Sequence, residues 1–205
     1  MRLAELDPGR TKVLRALGRR HPARTEPTLP AIERYTGVLY KELDAASLTS
    51  VAKRRLEREV LIASGLWGLV APSDPIPHYK LKMSANIAPL GRLSTFWKPQ
   101  VTDVLAPVVA KRIVWDLLPI EHRAAVDWGR LAPAERRTVR FVDRRGATVS
   151  HWNKLLKGSL VRWLATHGTG AVHDLAAFDH PQGYVFDPSA TEIDGLSTHL
   201  TFRSS

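Results

Sequence analysis

The sequence of 205 residues predicts a single compact domain of mixed α/β class, with a central mixed sheet flanked by helices. Short apolar runs that end at turn residues are typical of buried strands, and they alternate with segments of helical spacing. Hydrophobic residues make up 44% and charged residues 24% of the chain, as in globular proteins. A chain of this length buries a substantial core without disulfides.

Helical spacing predicts the helices in order along the chain. The first covers residues 8–18, with Asp7 as a start signal. Residues 93–109 are also helical in pattern, and Pro99 and Pro107 within them predict a kink or an edge. The remaining predicted helices are residues 32–43, 48–56 and 152–167.

Apolar runs and one turn predict the strands. Residues 60–63 and 112–117 have the length and composition of buried strands. Residues 138–142 and 147–151 flank an Asp-Arg-Arg-Gly turn at 143–146, which indicates a hairpin.

The segments between these elements are polar or rich in proline. Residues 21–30 predict a loop, and residues 72–77 are expected to form no regular structure. The tail, residues 173–203, carries the surplus of acidic residues.

The distribution of charge favours anionic partners. The chain carries a formal net charge of +10, and residues 75–102 and 144–173 contain no Asp or Glu. Gathered positive charge attracts polyanions and phosphorylated ligands, although a solvated surface has the same composition. The absence of cysteine excludes disulfides, thiolate nucleophiles and cysteine-based metal sites.

The predicted helix 152–167 carries the strongest local signal. Lys154, Lys157 and Arg162 fall on one side of it, opposite the apolar residues, and predict contacts to phosphates. Trp152 offers a stacking surface for a base. The alternative is an ordinary amphipathic helix with a solvated face and Trp152 in the core.

A second group of candidates lies before the helix 93–109. Tyr79 and Lys80 combine a ring that stacks with an amine that meets phosphate, in a segment that continues through Lys82 to Phe96, Trp97 and Lys98. Ser64 and Gly65 follow a predicted strand, where small residues let a ligand approach the backbone. The alternatives are core positions for the aromatic residues and a tight structural turn at Ser64.

The signals for catalysis and for metal binding are weaker. Lys154, Asp116 and Glu121 are the candidate catalytic residues, because a carboxylate beside His122 can move a proton. No recognised zinc spacing occurs, so neither a metal nor another cofactor is expected. His167 and His173 flank a Gly-Thr-Gly turn, residues 168–170, that faintly resembles a helix-hairpin-helix turn or simply ends a helix.

No leader or membrane segment is expected. The N-terminus has no apolar run behind its positive charge, and no stretch approaches the roughly 18 apolar residues of a membrane span. The cytoplasm is therefore the expected location.

Several stretches resemble, in order along the chain, the motifs of the YaaA family of peroxide-stress proteins. They are residues 35–40 (with Tyr-Thr-Gly), 64–74 (beginning Ser-Gly-Leu-Trp-Gly), 77–83, the Phe-Trp pair at 96–97, 150–158 and 183–187 (Gly-Tyr-Val-Phe-Asp). The resemblance implies a mixed α/β fold with a basic cleft, DNA binding and a role in protection from peroxide. It divides the chain into residues 1–29, a shortened N-terminal helix and loop, and residues 30–205, the YaaA-like domain.

The sequence departs from the family pattern at points that bear on function. Lys80 and Lys157 stand where the family has arginine, and Ala71 replaces another arginine. Lysine binds phosphate as a point charge, without the bidentate fork of arginine. The family's N-terminal strand has no counterpart, and the region of its helix-hairpin-helix is shortened, so the sequence leaves open whether the short N-terminus is native or a mis-assigned start.

Two functions follow from these observations. The first is a YaaA-like protein that binds DNA or a phosphorylated ligand in a basic cleft, where Lys80, Lys154, Lys157 and Arg162 converge. The second is an enzyme of small-molecule metabolism that uses the same scaffold on an anionic substrate. The sequence leaves open whether the chain is an enzyme, as well as the substrate, the oligomeric state and the choice among DNA, RNA and nucleotides.

Overall fold

The computed structural model describes residues 1–148, 150–168 and 171–204, except for the side chains of residues 150–152. It confirms the mixed α/β class. The chain divides into two compact units, each assembled from segments that are distant in sequence. Unit 1 comprises Met1–Arg34, Glu59–Ala110 and Leu118–Ala132, and unit 2 comprises Tyr35–Arg58, Lys111–Leu117 and Pro133–Ser205.

The elements alternate between helix and strand along the chain. The α-helices are α1 (Asp7–Ala16), α2 (Ala31–Arg34), α3 (Val38–Leu43), α4 (Ser50–Glu59), α5 (Leu93–Val109), α6 (Ile120–Arg123) and α7 (Ser150–His167). The strands are β1 (Thr28–Pro30), β2 (Ile62–Ser64), β3 (Gly68–Val70), β4 (Pro75–Pro77), β5 (Asn86–Ile87), β6 (Gly91–Arg92), β7 (Ile113–Asp116), β8 (Glu135–Val142), β9 (Tyr184–Asp194) and β10 (Ser197–Ser204).

Unit 1 is organised around helix α5. Trp97, one of its fully buried residues, donates a hydrogen bond from Nε1 to the carbonyl of Gly65, 2.9 Å away. This bond joins α5 to the turn of the β2–β3 hairpin. Gly68 has φ +72°, and a Cβ there would lie 3.0 Å from the Trp97 ring, so the turn requires glycine on both counts.

Unit 2 is built on a four-stranded mixed sheet in the order β7-β8-β10-β9. Strands β7, β8 and β10 are parallel, and β9 pairs antiparallel with β10. Strand β7 pairs only with the first half of β8, up to Thr138, whereas β10 accompanies β8 to Val142. Within the described part of the chain, the second half of β8 therefore has no strand on its β7 side.

Helix α7 covers one face of this sheet. Leu156 and Leu160 of the helix are fully buried in a core cluster that also contains Phe141 and Phe202 of the sheet. The rings of Phe141 and Phe202 stack with centroids 5.0 Å apart. The predicted helix 152–167 is thus confirmed, and its buried side is the apolar stripe on which the prediction was based.

The structure corrects several expectations for individual elements. The segment 72–77 contains strand β4, which pairs with β1, although it was expected to be irregular. The predicted helix 32–43 is interrupted after Arg34 and resumes at Val38. The second arm of the predicted hairpin is reduced to one bridge between Val142 and Thr148, because Ser150 already begins α7.

Candidate functional site

The predicted ligand residues of unit 1 form one connected turn. Ser64 Oγ lies 2.6 Å from the Tyr79 hydroxyl and accepts a hydrogen bond from the backbone N–H of Trp67 at 2.9 Å. A Cβ at Gly65 would lie 2.5 Å from the carbonyl oxygen of Leu81. The β2–β3 turn therefore packs directly on the segment 79–82, and glycine permits that approach.

Lys80 extends from this turn into solvent. Its side chain is exposed and makes no hydrogen bond or ion pair with the part of the chain that the structure describes. Ser64, in contrast, is buried, and Tyr79 is half-buried beside it. In unit 1, Lys80 is therefore the predicted phosphate ligand whose side chain is exposed.

Two of the predicted ligand residues of unit 2, Lys154 and Lys157, lie near the ends of the parallel strands. Strand β8 ends at Val142, a basic turn with Arg144 and Arg145 follows, and α7 begins at Ser150. Ligands of α/β proteins commonly bind at the carboxyl ends of parallel strands, where the N-terminus of the following helix favours anions. We call this edge, comprising Arg144, Arg145, Lys154 and Lys157, the basic edge.

Asn153 fixes α7 to this edge. Its amide donates to the carbonyl of Phe141 and accepts from the N–H of the same residue, both at 3.1 Å. These two bonds satisfy the backbone N–H and C=O of Phe141, which lies beyond the part of β8 that pairs with β7. One turn later, Lys157 Nζ donates to the carbonyl of Leu117, 3.1 Å away, just after the end of β7.

The three cations predicted on α7 differ in their surroundings. Lys154 is exposed and makes no ion pair with the residues that the structure describes. Lys157 is half-buried and holds Leu117. Arg162 Nη1 donates to the carbonyls of Leu43 and Asp44, each 2.9 Å away, so its guanidinium caps the C-terminal end of α3.

Asp116 is buried in an ion pair. Its Oδ2 accepts two hydrogen bonds from the guanidinium of Arg136, and its side chain has no exposed surface. The carboxylate thus lies against a neighbouring strand of the sheet. This contact favours a structural role over proton transfer.

Glu121, the other predicted carboxylate, lies in unit 1 beside a hydroxyl and an imidazole. Its Oε2 accepts from Ser84 Oγ at 3.0 Å, and its Oε1 lies 3.8 Å from His122 Nδ1. Burial lowers the pKa of His122, and the nearby carboxylate only partly opposes that shift. A neutral imidazole accepts protons, so these residues have the chemistry of a general base.

Comparison with known proteins gives the family. The model of the family described as peroxide stress protein YaaA matches residues 9–190. The chain belongs to this family. The YaaA resemblance inferred from the sequence motifs is therefore confirmed.

Curated relatives of the chain carry the name UPF0246 protein. One from Streptomyces coelicolor is 41% identical over 141 residues, which cover 68% of this chain and 54% of that protein. One from Corynebacterium glutamicum is 38% identical over 147 residues, covering 69% and 56%. One from Methylibium petroleiphilum is 34% identical over 175 residues, covering 82% and 67%. The chain spans about half the length of the first two relatives.

Two buried charged residues of unit 1, Arg10 and Asp74, were not singled out by charge and pattern alone. Arg10 is buried, and its guanidinium donates to the carbonyls of Trp67 and Leu69 at 3.1 and 2.8 Å. Asp74 is also buried and accepts from the N–H of Ala71 at 2.8 Å. Asp74 ends the motif at 64–74, and this was the available signal. For Arg10, no signal distinguished it from the exposed arginines.

Some predictions fall where the structure gives no test. The Trp152 side chain, proposed for stacking, and Thr169 and Gly170 of the Gly-Thr-Gly turn lie outside the described residues. Lys80 belongs to unit 1, and Lys154, Lys157 and Arg162 belong to unit 2, so their convergence stays a prediction.

The described residues contain no group of three or more His, Cys, Asp or Glu residues arranged to hold a metal ion. They also contain no helix with both the length and the apolar character needed to cross a membrane.

Proposed function

We propose that this protein binds nucleic acid, with DNA as the leading candidate, through the phosphates of the nucleic-acid backbone. We further propose that this binding serves a role in peroxide stress. The observation that carries the proposal is the basic edge of unit 2, where Arg145 and Lys154 are exposed at the carboxyl end of the parallel strands. Membership of the peroxide stress family supports the same assignment.

The charge of this region supports phosphate binding. Between residues 144 and 173 the sequence contains no Asp or Glu, so no acidic side chain of that segment neutralises the edge. The first turn of α7 adds backbone N–H groups and the positive end of the helix dipole. Cations and helix dipole act in the same direction on a phosphate.

The roles of the individual residues follow from their contacts. Lys154 and Arg145 contact phosphate directly, and Lys157 contributes charge while it holds Leu117. Lys80 provides a further phosphate contact on unit 1, with Tyr79 and the Ser64–Gly65 turn behind it. Arg162 positions α3 by capping its C-terminal end, and its charge adds to the positive electrostatic potential of the basic edge.

The test is the double variant Arg145→Ala with Lys154→Ala, measured by fluorescence anisotropy on a labelled duplex. Each lost phosphate contact weakens binding to all sequences and reduces the slope of log affinity against log salt by about one. The double variant is therefore expected to bind more weakly, with a slope smaller by about two.

A matched variant controls for net charge. Arg54 and Lys41 are exposed residues of unit 2 on α4 and α3, and neither belongs to the basic edge. Arg54→Ala with Lys41→Ala removes the same two charges and is expected to retain the wild-type slope. Equal losses in both double variants would show that net charge alone drives binding, and the proposed edge would be wrong.

The alternative, an enzyme acting on an anionic substrate, depends on Glu121 and His122 instead. Ser84, Glu121 and His122 bring a hydroxyl, a carboxylate and a base of lowered pKa together. Mass spectrometry of small molecules that co-purify with the protein tests this alternative. A stoichiometric anionic metabolite, combined with slight DNA affinity, would favour the enzyme.

A further inference from the structure

A cleft in unit 2 is used neither by the basic edge nor by the family motifs. Its volume is about 480 Å³, and it is open to solvent. It lies at the C-terminal end of α7, the opposite end of the helix from Lys154. Its lining consists of Trp163, His167, His173, Asp174, Ala176 and Ala177.

Two of the lining residues form a stacked pair of rings. The centroids of Trp163 and His167 are 4.6 Å apart, and their planes are inclined by 26°. His167 Nδ1 donates to the carbonyl of Trp163 at 2.9 Å, which fixes the imidazole over the indole. The indole is partly buried against the core and meets Phe178 edge-on, whereas His167 is exposed.

This arrangement makes His167 a platform. One face of its ring lies on the Trp163 ring, and His167 is exposed and lines the cleft together with Trp163. A side chain held in this way loses little conformational entropy when a ligand stacks on it. Histidine is one of the residues on which unpaired bases stack in nucleic-acid-binding proteins.

Polar groups of the cleft complement the edge of a base. His173 Nε2 lies 3.2 Å from Asp174 Oδ1, and the Asp174 side chain is 39% exposed. A carboxylate accepts hydrogen bonds from the amino and imino groups of bases. Because a carbonyl can only accept, His167 Nδ1 is the donor in this hydrogen bond, and Nε2 is left for other contacts.

A positive charge lies beside the cleft. Arg55 of α4 donates to the carbonyls of Ala165 and Thr166 at the end of α7. A Cβ at Gly168 would overlap the Arg55 guanidinium, so this charge lies directly at the end of the helix.

We propose that this cleft binds an unpaired nucleobase of single-stranded nucleic acid, stacked on the His167–Trp163 pair with its polar edge at Asp174. The inference rests on the proposed function, because phosphate contacts elsewhere bring the strand to the protein. A metal is a poorer occupant, since no group of three or more metal-ligating side chains occurs among the described residues.

The experiment separates the base from the phosphate. The probe is a single-stranded oligonucleotide of about 12 residues, compared with an abasic strand of the same length and charge. Base stacking contributes about 1–3 kcal/mol per base, so the wild-type protein is expected to bind the base-bearing strand roughly tenfold more tightly. His167→Ala is expected to bring this ratio close to one.

Two further variants control for folding and for loss of an imidazole. His167→Phe keeps a ring on Trp163 and is expected to retain most of the preference. His78→Ala removes an exposed histidine of unit 1 and should leave the ratio unchanged.

The outcomes are distinguishable. If wild type binds both strands equally and with a steep salt slope, the base site is wrong and the phosphate-binding function stands. A ratio that persists in His167→Ala would likewise overturn the site. If neither strand binds at low salt, the proposed function fails and the base site fails with it.

Discussion

Replacing Arg162 of α7 tests whether this residue stabilises the fold or binds phosphate, as proposed for Lys154 on the same helix. Arg162 Nη1 donates to two carbonyls at the end of α3, Leu43 and Asp44, both at 2.9 Å. The Asp44 carbonyl also accepts from the N–H and the Oγ of Ser47, and Asp44 has a positive φ of 41°. Arg162→Ala therefore removes one donor from each of the two carbonyls at the end of α3, where Lys41 still opposes the helix dipole.

The magnitude follows from the bonds and their exposure. A hydrogen bond with a charged partner contributes about 1.5–3 kcal/mol. Because the side chain is 37% exposed, water replaces part of the loss, and we expect about 1–2 kcal/mol for both bonds together. For a protein of this size, that corresponds to a decrease in Tm of roughly 2–8 °C.

The assay measures stability and affinity on the same samples. Urea unfolding followed by circular dichroism gives the free energy of unfolding, and anisotropy with a DNA duplex gives the affinity. Lys154→Ala is the matched control: it is expected to lose affinity and to keep its stability. If Arg162→Ala unfolded like wild type and lost as much affinity as Lys154→Ala, the assignment of Arg162 to the α3 cap would be wrong.

Two further predictions concern packing and pH. A Cβ at Gly158 would overlap the carbonyl of Leu39 and lie 3.0 Å from the Glu42 Cβ. Gly158→Ala is therefore expected to lower the free energy of unfolding, measured in urea, by about 1–3 kcal/mol. Unchanged stability would refute the close packing of α3 on α7. Burial lowers the pKa of His122 below its ordinary value of 6.5, so the unfolded chain binds the proton more readily and stability falls as the pH drops from 6.5 towards the folded pKa. His122→Asn should flatten this decline in unfolding free energy, and a decline as steep as that of wild type would contradict the assignment.

The helices that sequence predicted well are those whose pattern is local. Helix α5 begins and ends at the predicted residues 93 and 109, and α7 extends the predicted segment by two residues to Ser150. Their apolar stripes repeat over several turns, so periodicity alone determines them. The same periodicity placed Lys154 on the polar side, where the structure has it exposed.

The strands that sequence did not predict depend on distant partners. Strand β1 pairs with β4 through Pro30 and Pro75, residues that argue against a strand in isolation. Because the sheet has only two strands, each has a free edge where proline is tolerated. The β9–β10 hairpin at the C-terminus was also not predicted.

The same limit applies to the candidate site. Sequence identified Lys157 and Arg162 as cations, but their partners are carbonyls of Leu117 and Leu43, which only the tertiary structure brings near. Arg10 is buried beneath the β2–β3 turn, whereas a residue of its charge is expected at the surface. Charge pattern and family motifs therefore identified the candidate residues in the sequence, and the hydrogen bonds in the structure distinguished the exposed cations from the structural ones.

The most direct test of the central claim is the salt dependence of duplex DNA binding by the wild-type protein. Neutralisation of about four phosphates predicts that log affinity falls with log salt at a slope near −3.6. A slope near zero, or no binding at low salt, would contradict the claim that this protein binds phosphates through its basic surface.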